Sequence, residues 1–336
     1  MRHIAARGCD EHRATALWCE RKDTYALASA PLPPVGSDAV RLVAIASAVS
    51  RGTERLVLEG RVPASETERM RCPHQEGEFP FPVKYGYALV GRIAEGPAAL
   101  IGRIGFALHP HQSAAVVAAD AVSLVPEGVP PRRATLAANL ETALNIVWDS
   151  GASLGDRVLV IGAGVVGLLV ARLLSRIAGV EVTLADADPA KRAAAEAMGA
   201  AFAAPHSLPA DVDVAINATG SDAGLDMAIA AAGLEARIVE ASWHGEGTQR
   251  VTLGGAFHAR RLTIQSSQVG RIPAARAARW THRRRLATVM RLLEDDALDA
   301  LISHEVPLAE APARLPGLLK EPGALGILIT YDAQGA

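Results

Sequence analysis

The run VLVIGAGVVGLLV at residues 158–170 constrains the fold of this chain more than any other. Four apolar residues of strand character lead into Gly162, Gly164 and Gly167, and an apolar run of helical length follows. In a G-x-G-x-x-G at such a junction, Gly162 permits a tight turn and Gly164 lets the backbone approach a pyrophosphate. Gly167 allows the helix to pack close on the strand. The first helical turn, with Val166 in it, offers unpaired N–H groups and the positive end of the helix dipole to an anion. The next apolar run, VEVTLA, ends at Asp186, nineteen residues beyond Gly167. A carboxylate there accepts hydrogen bonds from a ribose and repels a 2′-phosphate, so the expected cofactor is NAD(H) rather than its phosphorylated form. Lys191, five residues further on, either flanks that ribose or sits in solvent as lysines by default do.

Strands and Ala-rich helices keep alternating after this unit, through PAKRAAAEAMG, DVDVAINAT, AGLDMAIAAA, ARIVEASW and RLTIQSSQ. That rhythm predicts a doubly wound parallel sheet with right-handed crossovers. The first third reads differently. ATALWCE, YALASAP, VRLVAIASAV, ALVGRIAEG and RIGFALHP are short strands set apart by Gly and Pro, which predicts a partly open β-barrel. From Arg132 to Trp148 the apolar spacing is helical; a basic helical stretch runs from Pro273 to Leu293, and GILITYD reads as a last strand. At 336 residues the chain exceeds what one core usually holds, so two domains are expected.

A net charge of −2 gives no electrostatic reason to expect nucleic acid. Cys9, Cys19 and Cys72 form no C-x-x-C pair, so neither a disulfide framework nor a cysteine-rich zinc site is expected, and a reducing cytoplasm fits. The longest apolar stretch, 158–174, is broken by three glycines and Arg172 and is too short to span a bilayer. The opening MRHIAARGCDEH lacks the apolar centre of a secretory signal and is read as a loose extension.

Several segments together resemble the medium-chain dehydrogenase/reductase superfamily: PLPPVGSDAVRLVAIASAVSRGTE, KYGYALVGRIAEG, LAANLETALNIVWDSGASLGDRVLVIGAGVVG, VDVAINATGS and LISHEVPLAEA. The likeness runs from about Ala14 to Tyr331, and S-R-G-T-E is locally similar to the S-T-G-T-E of bacteriochlorophyllide hydroxyethyl dehydrogenases. The resemblance implies an α/β fold in which a GroES-like β-barrel catalytic domain (1–139 and 271–336) carries an inserted Rossmann domain (140–270). It further implies hydride transfer in the cleft between them, and a homodimer paired through the last Rossmann strand near Leu262–Ser267.

The zinc ligands of the family's alcohol dehydrogenases match Arg51, Tyr87 and Ala138, none of which supplies a Cys, His or carboxylate. No four-cysteine loop lies between Gly91 and Val125, so the resemblance implies a zinc-independent member. His74, His109 and His111 are read as structural or solvent-facing rather than as a substitute chelate. Without a Lewis acid, hydrogen-bond donors must meet the charge that develops on a carbonyl oxygen. Thr53 matches the relay hydroxyl of the zinc enzymes. Tyr87 either donates a proton, if its pKa is lowered, or packs its ring in the emptied metal pocket. Thr142 matches a residue under the nicotinamide, Ser242 ends the fifth Rossmann strand, and Trp243 and His244 follow into the cleft-lining loop, Trp243 as substrate wall or core.

Arg51 either binds an anionic substrate or fills space through an ion pair. Arg276, Arg279 and Arg283 have the spacing of one helix face, and Arg271 or its neighbours either hold a substrate carboxylate or phosphate or belong to a solvated helix. The expected reaction is NAD(H)-dependent interconversion of an alcohol/carbonyl pair on a small-molecule substrate. Reduction of an activated C=C bond and a cofactor-binding regulator without catalysis stand as alternatives.

Overall fold

The computed structural model describes residues 12–332; Cys9 and the rest of the N-terminal extension lie outside the described residues. The chain opens with strands β1 (Arg13–Arg21), β2 (Thr24–Pro31) and β3 (Ala39–Val49), then helix α1 (Arg51–Leu58). Two short strands, β4 (Glu76–Gly77) and β5 (Val83–Lys84), precede β6 (Leu89–Glu95), β7 (Ile104–Ala107), β8 (Ala114–Ala118) and β9 (Ser123–Leu124). The helical stretch expected over 132–148 is two helices, α2 (Pro131–Ala134) and α3 (Ala137–Ser150). Thr135 separates them, its hydroxyl donating back to the Arg132 carbonyl at 2.6 Å.

The parallel unit follows: β10 (Arg157–Ile161), α4 (Val165–Leu174), β11 (Glu181–Ala185), α5 (Arg192–Ala197), β12 (Ala201–Ala203), β13 (Val212–Asn217), α6 (Asp222–Ala231), β14 (Ala232–Glu240) and β15 (Thr263–Ser266). The chain then forms α7 (Ala274–Ala277), α8 (His282–Leu292), β16 (Ile302–Pro307), α9 (Ala311–Leu318) and β17 (Gly326–Thr330).

Six strands pair in parallel in the order β12-β11-β10-β13-β14-β15. This is the doubly wound order, with the reversal of strand order falling between β10 and β13. A second sheet runs β16-β17-β3-β6-β7-β9 with β8 paired on β3, and a third runs β2-β1-β5-β4. β17 from the far end of the chain pairs antiparallel with β3, Ile327 opposite Val49, so this sheet takes strands from both before and after the parallel unit in sequence.

One apolar cluster joins the parts. Val90 and Phe106 of the barrel, Leu140 and Ile146 of α3, Val160 and Leu168 of the glycine-turn unit, and Val289 of α8 all belong to it. Fully burying a side chain such as Leu168 contributes about 1.5–3 kcal/mol relative to exposure. Among the described residues no helix is long and apolar enough to cross a membrane.

Candidate functional site

The glycine turn has the form its residues require. Gly162 takes φ +104°, and a Cβ on Gly167 would stand 1.9 Å from the Gly162 carbonyl oxygen, so only glycine lets α4 pack this close. Gly164 is different: a Cβ there would meet nothing within 4 Å, and the residue is exposed. No side chain caps α4, which leaves first-turn amides, Val166 included, open toward that face. Asp186 follows β11 and ties the turn to the next crossover. Its Oδ2 accepts from the Ala163 amide at 2.7 Å and its Oδ1 from the Asp188 amide at 2.8 Å. Each oxygen keeps a lone pair for a further donor.

Lys191 is 6% exposed, and its ammonium donates to the Gly323 carbonyl at 2.7 Å. Burial, followed by the nearby Arg51 charge, lowers its pKa. It is therefore not the solvated lysine of the default reading, since it tethers the loop before β17. Arg51 does the same from the other side. Its guanidinium donates to the carbonyls of Leu319, Glu321 and Ala324 and so clamps the chain's return segment, where the sequence left open a substrate anion or an ion pair.

Thr53 lies in the first turn of α1, and the Tyr87 hydroxyl meets the side chains of both Ser50 and Thr53. The structure thus brings together the two residues expected to handle the proton. Burial pushes the phenol up to about 12, against the opposing pull of those hydroxyls and with help from the Glu54 charge. The lowered pKa that proton transfer from Tyr87 would favour is not found; the group is a hydrogen-bond donor that stays protonated. The ring also packs edge-on against Tyr85, with centroids 6.0 Å apart.

Sequence reading missed what lies behind Thr53. Glu54, 3% exposed, accepts from the Ser50 amide at 2.7 Å through Oε1 and faces His111 Nε2 at 3.0 Å through Oε2. His111 Nδ1 is 2.7 Å from Ser47 Oγ, which is 2.8 Å from the Tyr331 hydroxyl. Gly86, at φ +124°, makes room for this ring, since a Cβ there would come within 2.8 Å of His111 Nε2. His109 stacks near His74 at 5.1 Å, and burial pushes its pKa down to about 3. Among the described residues no three His, Cys, Asp or Glu side chains converge as a metal site.

The strand ends opposite carry the other candidates. Thr142 donates to the Ala138 carbonyl at 3.1 Å within α3. Ser242 Oγ accepts from the Gly220 amide at 2.8 Å, and Trp243 packs on the cluster that holds Val57, Leu58 and Tyr85. Asn217 and Glu240, pairing partners at the ends of β13 and β14, were also missed. Asn217 Nδ2 donates to Glu240 Oε2 at 2.7 Å, and the Ser242 amide donates to Oε1 at 2.9 Å.

Arg271 is exposed, and its side chain has no partner among the described residues. Arg276, Arg279 and Arg283 do not share a helix face, because the chain breaks between α7 and α8 where Thr281 caps α8 by accepting from the Arg284 amide. Arg276 and Arg284 instead flank a pair of indoles: Trp148 and Trp280 lie 4.6 Å apart, with Arg276 5.5 Å from the former and Arg284 4.1 Å from the latter. Arg285, at the end of the same run of arginines, is 2% exposed and donates to Glu141 at 2.9 Å, Asn145 at 2.6 Å and the Val269 carbonyl at 2.6 Å.

No family model matches the chain. Solved structures do resemble it over nearly its whole length. L-idonate 5-dehydrogenase from Escherichia coli K-12 aligns with a TM-score of 0.79 at 13% identity, covering 95% of this chain and 98% of that one. Acetophenone reductase from Geotrichum candidum NBRC 4597, in complex with NAD, aligns with a TM-score of 0.76 at 16% identity over 96% and 98%. A Sinorhizobium meliloti 1021 structure bound to NADP aligns with a TM-score of 0.75 at 20% identity over 95% and 100%. The fold of this chain is therefore the two-domain fold of medium-chain dehydrogenases, a GroES-like barrel with an inserted Rossmann sheet.

Proposed function

We propose that this protein is a zinc-independent, NAD(H)-dependent oxidoreductase acting on an alcohol/carbonyl pair. The observation that carries the reading is the glycine turn itself. Its open face at Gly164, the uncapped start of α4 and the carboxylate of Asp186 make a cradle suited to a dinucleotide. The bound cofactor would supply the hydride. The first turn of α4 would hold the pyrophosphate, Asp186 the ribose, and Thr142 and Ser242 would flank the nicotinamide.

On the barrel side, Arg51, Tyr87 and Ala138 stand where the zinc-type enzymes have ligands. Tyr87 and Thr53 take over the task of a Lewis acid by donating to the oxygen on which charge develops. The raised Tyr87 pKa favours this role, since a donor that remains protonated serves through the neutral range. Arg271, exposed and unpartnered among the described residues, fits a substrate with an anionic group. A homodimer through the edge strand β15 and a cytoplasmic location complete the reading.

Fluorescence titration with NADH and NADPH, followed by a screen of aldehydes and ketones for NADH consumption, tests it. Tighter NADH binding and at least one consumed carbonyl are expected. Equal affinity for the two cofactors, or binding with no turnover on any carbonyl, would overturn it.

A further inference from the structure

The net charge of −2 conceals an uneven distribution. Of the chain's 34 basic and 36 acidic residues, ten arginines and no acid lie between Glu246 and Glu294, which leaves −12 on the rest. Among the described residues this stretch makes two ion pairs, Arg261 with Glu235 at 3.0 Å and the buried Arg285 with Glu141 at 2.9 Å. Arg276 on α7, Arg279 in the turn after it, and Arg283 and Arg284 in the first turn of α8 are all exposed. No carboxylate among the described residues pairs with any of the four.

This basic face is braced. The Arg276 guanidinium lies 5.5 Å from the Trp148 ring, the two indoles are 4.6 Å apart, and the Arg284 guanidinium lies 4.1 Å from the Trp280 ring. The four side chains form one ladder. Arg285 anchors it from below through Glu141 and Asn145, which holds α8 to the helix that carries Trp148. Helix polarity adds an independent sign. His282, Arg283 and Arg284 fill the first turn of α8, which contains no acidic residue. A helix dipole is positive at that end and disfavours cations there, so an anion lying on this turn relieves a conflict built into the chain.

The chemistry of the face selects its occupant. Single-stranded nucleic acid stacks its bases on free aromatic faces. Here each indole already has a guanidinium over it and the other indole beside it. A bilayer surface takes up apolar side chains, and no large exposed hydrophobic residue comes from α7, α8 or the turn between them. Carboxylates ask only for guanidiniums, which receive them in paired hydrogen bonds that lysine cannot match.

We propose that the face formed by Trp148, Arg276, Arg279, Trp280, Arg283 and Arg284 docks an acidic segment of a partner protein. Glu or Asp side chains of that segment pair with the four arginines, and one of them lies against the first turn of α8. Arg285, fixed beneath, keeps the face in place before the partner arrives, so little order is lost on binding. Docking there requires neither cofactor nor hydride transfer.

Fluorescence anisotropy of a labelled twelve-residue peptide of alternating Glu and Gly, titrated with the full chain in physiological salt, tests this. Binding is expected, and it should weaken as salt rises. Arg279→Gln with Arg283→Gln removes two guanidiniums that have no side-chain partner among the described residues, and should weaken binding about 10-fold. Arg69→Gln with Arg314→Gln changes the net charge equally at exposed sites elsewhere and should leave affinity within about 2-fold. Arg276→Lys with Arg284→Lys keeps the charge and should still weaken binding, because the paired hydrogen bonds are lost. Equal losses in the first two double variants would reduce the face to general electrostatics and overturn the proposal. So would tighter binding of a twelve-residue oligothymidylate or of phosphatidylserine vesicles, or no binding of the peptide at millimolar concentration.

Discussion

Two histidine–glutamate pairs, one in the barrel and one at the ends of the parallel strands, differ in how completely the ring is satisfied. In the barrel, His111 has a partner on both ring nitrogens, Glu54 on one side and Ser47 on the other, and is 1% exposed. On the Rossmann strand ends, His244 has Glu240 near one nitrogen and nothing on the other. A buried network in which every member is satisfied fixes a structure, and a ring with an unpaired nitrogen adds less to it. The same two residue types therefore brace the barrel more firmly than the ends of the parallel strands.

The largest expected difference is in stability. His111→Ala leaves the Glu54 carboxylate buried without its ring partner and should cost about 3–5 kcal/mol. His244→Gln removes no satisfied hydrogen bond and should cost no more than about 1 kcal/mol. Urea denaturation of both variants makes the comparison, and equal losses would erase the distinction between the pairs. Next in size is the donor pair beside Glu54. Tyr87→Phe should lower the single-turnover rate about 100- to 1,000-fold with NADH affinity unchanged, as the loss of one oxyanion donor typically does. Thr53→Val should act in the same direction, and a loss confined to Thr53→Val would leave Tyr87 as a packing ring.

A third contrast is in pH. His109, neutral and buried, has its pKa pushed down to about 3. The unfolded chain protonates this residue near pH 6.5 and the folded chain does not, so its contribution to stability is complete above about pH 6.5 and is lost as pH falls toward 3. His109→Asn should flatten the stability profile between pH 6.5 and 4, where each pH unit otherwise costs up to about 1.4 kcal/mol. An unchanged slope would show that the carboxylates alone set it. The smallest effect is expected on the basic stretch. Arg284→Leu, exposed above Trp280, should change stability by about 0.5 kcal/mol or less, whereas Arg285→Leu strands Glu141 and should cost several times more.

The glycine turn, Asp186 and the strand–helix rhythm were legible because each rests on residues close in sequence, with a local reason for every position. The barrel's short strands were legible from their Gly and Pro punctuation, and their closure by β17 from the resemblance. The Glu54–His111–Ser47–Tyr331 chain was not, since its contacts span 57, 64 and 284 residues and no local pattern marks them. The burial of Arg285 was hidden because a run of arginines conceals which one turns inward, a matter decided by Glu141 and Asn145 on α3. The tethers made by Lys191 and Arg51 were hidden for a similar reason: their carbonyl partners lie on the loop before β17, more than a hundred residues away. Asn217 and Glu240 carried a faint signal, a polar residue ending each of two apolar strands.

The central claim is that hydride transfer here proceeds without zinc. The measurement that tests it most directly is the rate of NADH-driven carbonyl reduction before and after exhaustive dialysis against a strong chelator, with metal content determined on the same samples. The account predicts an unchanged rate in protein that holds no stoichiometric zinc. A rate that collapses on chelation and returns when zinc is added back would contradict it.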